Sequence, residues 1–133
     1  MESKRLDNAA LAAGISPSYI NAHGTSTPAG DVGEALAVKR LFGDNMKNVS
    51  MSSTKSAIGH LLGAAGGVEF ITCVKTIQDN FIHQTVGTET PDEECDLNYA
   101  IGAPVEKEVN YVLTNSLGFG GHNAVLLLKR YED

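Results

Sequence analysis

Two histidines, each set in a run rich in glycine and hydroxyl side chains, are the residues of this chain best suited to chemistry. His23 lies in the run Asn21-Ala22-His23-Gly24-Thr25-Ser26-Thr27-Pro28, and His60 closes the run Ser52–His60. Each run is typical of a strand or loop that turns into a helix, a frequent position for functional residues. No residue in the chain has the pattern of the nucleophile that such a pair of imidazoles would serve.

The chemistry expected of this pair is stabilisation of a developing oxyanion. Lys55 precedes His60 by five residues, and both its charge and the N-terminus of the predicted helix disfavour an imidazolium. His60 is therefore predicted to be neutral and to donate one N–H hydrogen bond, which suits an oxyanion site from which water is excluded. His23 is expected to project from a strand end into the same space, where Thr25 and Thr27 offer hydroxyl groups to a polar ligand.

Other interpretations of the histidines stay open at this point. A histidine after a strand often caps a turn, and a pair of histidines is also compatible with a metal site. A third metal ligand would have to come from His83, His122, Asp31 or Glu69, and no standard metal-ligand spacing occurs. The sequence therefore predicts no metal, and His83 and His122 are expected to be solvated in loops.

Three further features are of interest, and two of them carry two interpretations each. Glu69 follows His60 by nine residues, about two and a half helical turns, which fits functional support and structural pairing equally well. Asp31 is most simply the N-cap of a helix. The run Gly118-Phe119-Gly120-Gly121 is either a tight hairpin or a mobile loop whose phenyl ring gates an apolar pocket, because glycines supply hinge freedom.

Composition limits the function classes. The chain has 133 residues, 42% hydrophobic content and a net charge of −6, which predicts one domain or part of one and disfavours nucleic-acid binding. No apolar stretch is long enough to span a bilayer, and no signal peptide is recognised. The two cysteines, Cys73 and Cys95, are interpreted as reduced thiols in a cytoplasmic protein.

The hydrophobic pattern predicts an α/β fold with a mixed sheet. The helix predicted from 58–61 to about 80 is apolar on all sides in its first half, so that half is expected to be buried all round. The segment from Ile82 to Asp96 is polar and is predicted to be a surface loop. The predicted elements are helices over 6–13 (capped by Gly14), 31–43 and from 58–61 to about 80, and strands over 19–22, 49–52, 95–100, 109–116 and 123–129.

Three of these runs together resemble the C-terminal half of the β-ketoacyl-acyl-carrier-protein synthases, the elongating condensing enzymes of fatty acid synthesis. The runs are Asn21–Pro28, Ser53–Glu69 and Asn115–Gly121. Pro91–Leu97 is similar to a loop of the type II branch. The resemblance implies a thiolase fold, in which residues 1–133 form one partial domain of an α-β-α-β-α sandwich, with the buried helix in the layer between two sheets.

The resemblance also implies roles for single residues. His23 and His60 would donate hydrogen bonds to a malonyl thioester as carbon dioxide leaves and an enolate forms. Lys55 would tune and position His60, with Glu69 and Asp31 in support. Thr25 and Thr27 would hold the phosphopantetheine arm, and Phe119 with Gly118 and Gly120 would gate the acyl pocket. Acyl carrier protein is the implied partner and the implied assembly a homodimer, with no cofactor, nucleic acid or membrane.

One departure from the family limits the expected activity. The nucleophilic cysteine of the family lies in its N-terminal half, and neither Cys73 nor Cys95 stands at a matching position. The isolated chain is therefore predicted to be inactive in condensation. The alternatives are a non-catalytic fragment that self-associates or binds a partner, and a thiol enzyme using Cys73, for which no activating neighbour is evident.

Overall fold

The computed structural model of the chain describes residues 15–132. The helix predicted over 6–13, with its cap at Gly14, lies outside the described residues.

A four-stranded mixed sheet forms the centre of the fold. Its strands are β1 (Tyr19–Asn21), β2 (Ser50–Ser52), β5 (Tyr111–Leu117) and β6 (Asn123–Lys129), in the order β2-β1-β5-β6. β1 runs parallel to β2 and to β5, and β6 is antiparallel to β5. A separate antiparallel pair joins β3 (Phe81–Ile82) to β4 (Val105–Glu106). The predicted mixed α/β fold is confirmed.

The helix α1 (Pro28–Phe42) begins three residues before the predicted cap. Pro28 occupies the first turn, where its fixed φ suits a helix start and its missing N–H costs nothing. The Asp31 N–H already donates to the Thr27 carbonyl at 2.9 Å, so the prediction that Asp31 is the N-cap is wrong. The helix ends as predicted at Gly43, whose φ of +50° favours glycine.

The long helix predicted from about residue 58 is divided into separate pieces. The short α2 (Lys55–Ile58) ends at Gly59, whose φ is +79°. A 3₁₀ turn, Leu62–Ala64, leads into α3 (Ala65–Asp79), which Asn80 closes in a left-handed conformation. The small residues that suggest a continuous helix also allow backbone conformations that interrupt one.

Burial of α3 is one-sided. The side chains of Glu69, Cys73 and Ile77 are buried against the sheet, whereas Phe70 is 44% and Ile71 63% exposed. All-round burial was expected only for the first half of the predicted long helix, and among residues 15–132 that expectation is wrong, because Leu61 is 40% and Leu62 77% exposed.

Helices cover both faces of the sheet, as alternating side chains on a strand require. Ile20 points toward α1 and packs with Val38, Phe42 and Met51. Tyr19 points the other way and packs with a cluster beneath α3 that includes Cys73, Ile77 and Val112. These two cores hold β1 at the centre of three layers.

The remaining predictions concern the segment 95–100 and the last two strands of the sheet. The segment 95–100 forms no strand, and only Tyr99 bridges to Met51. The predicted strand 109–116 is observed as Tyr111–Leu117, and 123–129 is confirmed. Within residues 15–132 none of the helices combines the length and the apolar character needed to cross a bilayer.

Candidate active site

The candidate site lies where the parallel strands β1 and β2 end at the same edge of the sheet. His23 follows the last residue of β1 by two positions, and Ser53, Thr54 and Lys55 follow β2 directly. The Ala22 N–H donates to the Ser52 carbonyl at 2.9 Å, so the two strands stay paired up to this edge. The topology therefore brings the two histidine-containing runs together.

The two predicted histidines face each other. Their ring centroids are 5.5 Å apart and the ring planes are nearly perpendicular, at 87°. The Leu62 N–H donates to Nδ1 of His60 at 3.1 Å, so in the neutral ring the proton lies on Nε2, which is then a donor. Nδ1 of His23 is buried and has no partner among the described residues.

The surroundings of His23 keep its imidazole neutral. Burial, and then the charges of Lys55 and His60, lower the pKa of His23 to about 4. The helix-terminus argument for His60 is wrong, because His60 lies in the segment between α2 and α3 and begins no helix. A neutral imidazole is thus present at the predicted edge, at His23.

Lys55 and Glu69 form a buried ion pair that ties the start of α2 to α3. The two side chains are only 5% and 2% exposed. The second carboxylate oxygen of Glu69 is buried and has no partner among residues 15–132. Structural pairing of Glu69 is thereby shown, and a functional role stays a prediction.

Glu34 is a residue of the site that the sequence analysis missed. Its buried carboxylate accepts the backbone N–H groups of His23 at 3.0 Å and Gly24 at 3.1 Å, and Nδ2 of Asn115 at 3.0 Å. Burial raises the pKa of Glu34, and these hydrogen bonds offset part of that rise. The available signal was its position on α1, four and eight residues before Val38 and Phe42, in the stripe that faces the core.

Gly24 permits the close approach of the two loops. Its φ is +38°, and a Cβ at this position would lie 2.8 Å from Cβ of Ser53. The Ser53 hydroxyl donates to the Gly24 carbonyl at 3.0 Å. The spacing between the His23 and Lys55 loops therefore depends on a residue without a side chain.

A cleft of about 690 Å³ opens along this edge. Thr25 and Thr27 lie in its wall as predicted, with their hydroxyl oxygens 3.4 Å apart. Asp31 also lines the cleft. Other lining residues include Glu34, Ser53, Lys55, His60 and Glu89.

The glycine-rich connection after β5 is a tight turn. The Gly118 N–H donates to the His122 carbonyl at 2.6 Å across a 3₁₀ turn that contains Gly120 at a φ of +70°. Phe119 at its tip is 99% exposed and does not line the cleft. The hairpin interpretation fits this geometry, and the gating role of Phe119 stays a prediction.

The other titratable candidates divide into buried and exposed groups. His83 is half-buried and hydrogen-bonded, so its predicted solvation is wrong, whereas His122 is exposed as expected.

Burial raises the pKa of the Cys73 thiol to about 12 and raises that of Cys95, so neither is an activated nucleophile. In the part of the chain that the structure describes, no three His, Cys, Asp or Glu side chains converge on a common point suited to a metal.

Known proteins similar in sequence cover most of this chain. The family model described as "Beta-ketoacyl synthase, C-terminal domain" matches residues 3–89. The 3-oxoacyl-[acyl-carrier-protein] synthase 2 of Staphylococcus aureus (strain COL) is 50% identical over 123 residues, which are 90% of this chain and 30% of that protein. The protein of the same name from Synechocystis sp. is 50% identical over 115 residues, 86% of this chain and 28% of that protein.

Solved structures share the fold. A chain of AntDE:AntF, a type II PKS acyl-carrier protein in complex with its ketosynthase, superposes with a TM-score of 0.91 at 32% identity. The match covers 97% of this chain and 32% of the other. This likeness confirms the predicted thiolase-like α/β fold, and the chain spans about a third of the length of the relatives that it matches. The chain belongs to the beta-ketoacyl synthase family, whose C-terminal domain it represents.

Proposed function

We propose that this chain is the histidine-bearing part of a β-ketoacyl-acyl-carrier-protein synthase of fatty acid synthesis. The observation that carries the proposal is the perpendicular pair of His23 and His60, whose ring centroids are 5.5 Å apart and of which His60 lines the cleft. Relatives named 3-oxoacyl-[acyl-carrier-protein] synthase 2, at 50% identity, support the reaction class. The substrates would be malonyl-acyl-carrier-protein and an acyl group held as a thioester on a cysteine.

The two imidazoles would stabilise negative charge on one oxygen atom. When the bond between the malonyl methylene carbon and its carboxylate breaks, carbon dioxide leaves and the electron pair passes to the thioester oxygen as an enolate. Nε2–H of His60 and an N–H of His23 would donate to that oxygen. The enolate carbon then attacks the acyl thioester, a carbon–carbon bond forms, and the cysteine thiolate leaves.

Lys55 would act on this pair through charge and position. Its ammonium contributes to the lowered pKa of His23, so His23 would act as a neutral imidazole that donates one N–H. The buried pairing with Glu69 holds the ammonium in one place. Glu34 would hold the backbone of His23 and Gly24, and Asp31 would support the cleft from α1.

The cleft and its rim would receive the carrier-bound substrate. Thr25 and Thr27 would bind the phosphopantetheine arm, and Phe119 with Gly118 and Gly120 would gate the acyl chain. Acyl carrier protein is the proposed partner, supported by the ketosynthase neighbour seen in complex with such a carrier. The function proposed here uses no resident cofactor and belongs to a cytoplasmic enzyme that acts as a homodimer.

Condensation would need a cysteine from outside residues 1–133. The two cysteines of this sequence, Cys73 and Cys95, are buried, and their thiol pKa values are raised. We therefore propose that the isolated chain does not catalyse condensation, and that the nucleophile belongs to the larger part of the synthase.

The test is reconstitution with the cysteine-bearing part of a synthase, as a fusion or as two chains. Mass spectrometry would follow β-ketoacyl-carrier product formed from an acyl thioester and malonyl-acyl-carrier-protein. The expected result is product with the parent chain, loss of product with His23→Ala or His60→Ala, and retention with the exposed His122→Ala. If the acyl-enzyme forms and the parent chain still yields no product, the proposed function is wrong.

A second candidate function is that of a non-catalytic fragment that associates with another copy of itself. It is favoured by large apolar side chains without cover, Leu62 at 77% and Ile71 at 63% exposure, because uncovered apolar surface promotes association. Native mass spectrometry distinguishes the two. A dimer without activity after reconstitution supports the fragment, and a well-folded monomer contradicts it.

A further inference from the structure

His83 lies behind the candidate site, within hydrogen-bond distance of three buried hydroxyl groups. Nε2 is 3.1 Å from Oγ1 of Thr54, 3.2 Å from the Tyr19 hydroxyl and 3.4 Å from Oγ of Ser52. On the other side of the ring, Nδ1 is 3.0 Å from the backbone carbonyl of Gln84. Neither the family comparison nor the proposed mechanism assigns a role to this side chain.

The hydrogen-bonding partners determine which ring nitrogen carries the proton. A carbonyl oxygen only accepts, so Nδ1 of His83 must donate to Gln84, and in the neutral ring Nε2 is an acceptor. Nδ2 of Asn21 donates to Thr54 Oγ1 at 2.6 Å, which leaves the Thr54 hydroxyl proton free for Nε2. The chain of donation therefore runs from Asn21 through Thr54 and His83 to the Gln84 carbonyl.

This chain of hydrogen bonds joins the two segments that carry the catalytic candidates. Asn21 ends β1 two residues before His23, and Thr54 immediately precedes the buried Lys55. Asn21 also donates to the Tyr19 hydroxyl at 3.0 Å, which in turn shares a 2.8 Å hydrogen bond with Ser52. His83 thus contacts both strand ends and is not among the residues that line the cleft.

Two neighbouring contacts attach the rest of the His83 segment to the same turn. The Ser53 N–H donates to Oγ1 of Thr85 at 3.2 Å, and the Val86 N–H donates to Oγ of Ser56 at 2.9 Å. With the contact between His83 and Thr54, three side-chain hydrogen bonds connect residues 83–86 to residues 53–56. The backbone on either side of Lys55 is therefore held by this segment.

We propose that His83 is a positioning residue of the condensing site: its Nε2 orients Thr54 and so fixes the Lys55 turn relative to His23. This inference rests on the proposed function and adds to it a residue outside the cleft. His83 touches no substrate, and it acts only through Thr54.

The test compares two amide substitutions in the reconstituted synthase. Gln reaches about as far as Nε2 of histidine and offers an acceptor there, whereas Asn ends level with Nδ1 and offers none. We expect His83→Asn to lower kcat for malonyl decarboxylation about tenfold with little change in KM, because displacing a reacting group by about 1 Å costs up to about 100-fold. His83→Gln should stay within about threefold of the parent on the same argument.

Two controls separate this inference from the proposed function. Acyl transfer to the cysteine should be unchanged in both variants, because it does not use the histidine pair. If the parent synthase condenses normally and both variants match it, or both lose kcat equally, the positioning role is wrong while the proposed function stands. If the parent chain forms no product, the proposed function fails.

A measurement on the unaltered chain keeps the inference testable if His83→Asn does not fold. Nitrogen-15 spectra of the imidazole should show a protonated Nδ1 and an unprotonated, hydrogen-bonded Nε2. A proton on Nε2 in the neutral ring would remove the proposed acceptor and overturn the assignment whatever the activity.

Discussion

The ammonium of Lys55 and the carboxylate of Glu69 pair in a place where both side chains are almost completely removed from solvent. Each charge would be costly to bury alone, since desolvation of an ion in a protein interior costs several kcal/mol. The pair joins the turn after β2 to α3, and it places a positive charge near His23. It therefore links the stability of the domain to the chemistry of the site.

Breaking this pair on one side should be much more harmful than removing it entirely. We expect Lys55→Met to lower the free energy of unfolding by about 3–5 kcal/mol, because Glu69 is left charged and unpaired. The double variant Lys55→Met/Glu69→Leu should recover most of that loss in urea unfolding. Lys75→Met, in the exposed pair of Lys75 with Asp79, should change stability by about 0.5 kcal/mol or less. A double variant as unstable as the single one would contradict the argument.

His23 should stay neutral far below the usual titration range of histidine. The expected NMR titration of its ring has a pKa near 4, lowered from 6.5 by burial and by Lys55 and His60. Because the unfolded chain binds this proton more readily, the stability of the folded state should fall as pH drops from about 6.5 toward 4. Replacing His23 with Asn should make that dependence shallower. A His23 titration at the ordinary value would refute the burial argument.

Glu34 should hold the His23 loop through its acceptor atoms rather than its size. We expect Glu34→Gln to cost about 1–3 kcal/mol of unfolding free energy, since one amide nitrogen then faces a buried N–H donor. Hydrogen exchange at the His23 and Gly24 amides should accelerate in this variant. Glu89→Gln, an exposed carboxyl on the same cleft, should stay within about 0.5 kcal/mol. Unchanged exchange at both amides would argue that these hydrogen bonds do not form.

Gly24→Ala should disturb the site, whereas a glycine change elsewhere should not. The new Cβ would overlap with Ser53 and the backbone would be strained at a φ of +38°, a conformation that costs about 1–3 kcal/mol in a non-glycine residue. The matched control is Gly67→Ala, in α3 with nothing within 4 Å of the new Cβ, expected to stabilise by up to about 1 kcal/mol. Thermal unfolding of both variants would measure the two changes in stability. Equal changes would contradict the close approach of Gly24 to Ser53.

Local patterns predicted some elements at their observed bounds. The apolar run within 123–129 corresponds to β6, and Gly43 ends α1 as expected. The long helix failed as a prediction because its glycine- and alanine-rich first half supports a helix and its interruption equally well. Gly59 adopts a φ of +79° where its N–H closes α2 by donating to the Lys55 carbonyl at 2.8 Å.

Some residues of the candidate site could be found from local sequence, and others could not. The histidine-containing runs are recognisable without a structure, because residue types and spacing within a short segment carry the signal. Glu34 and His83 were missed or misjudged, because their roles depend on partners 10 to 81 residues away for Glu34 and 29 to 64 residues away for His83.

The sequence by itself determined the family and the mixed α/β class, and it predicted that the two imidazoles do the chemistry. Only the tertiary structure decided that burial lowers the pKa of His23, which carboxylate holds the His23 loop and which faces of α3 are buried. These properties follow from burial and from hydrogen bonds between distant segments, and neither exists until the strands β1, β2 and β5 pair and bring those segments together.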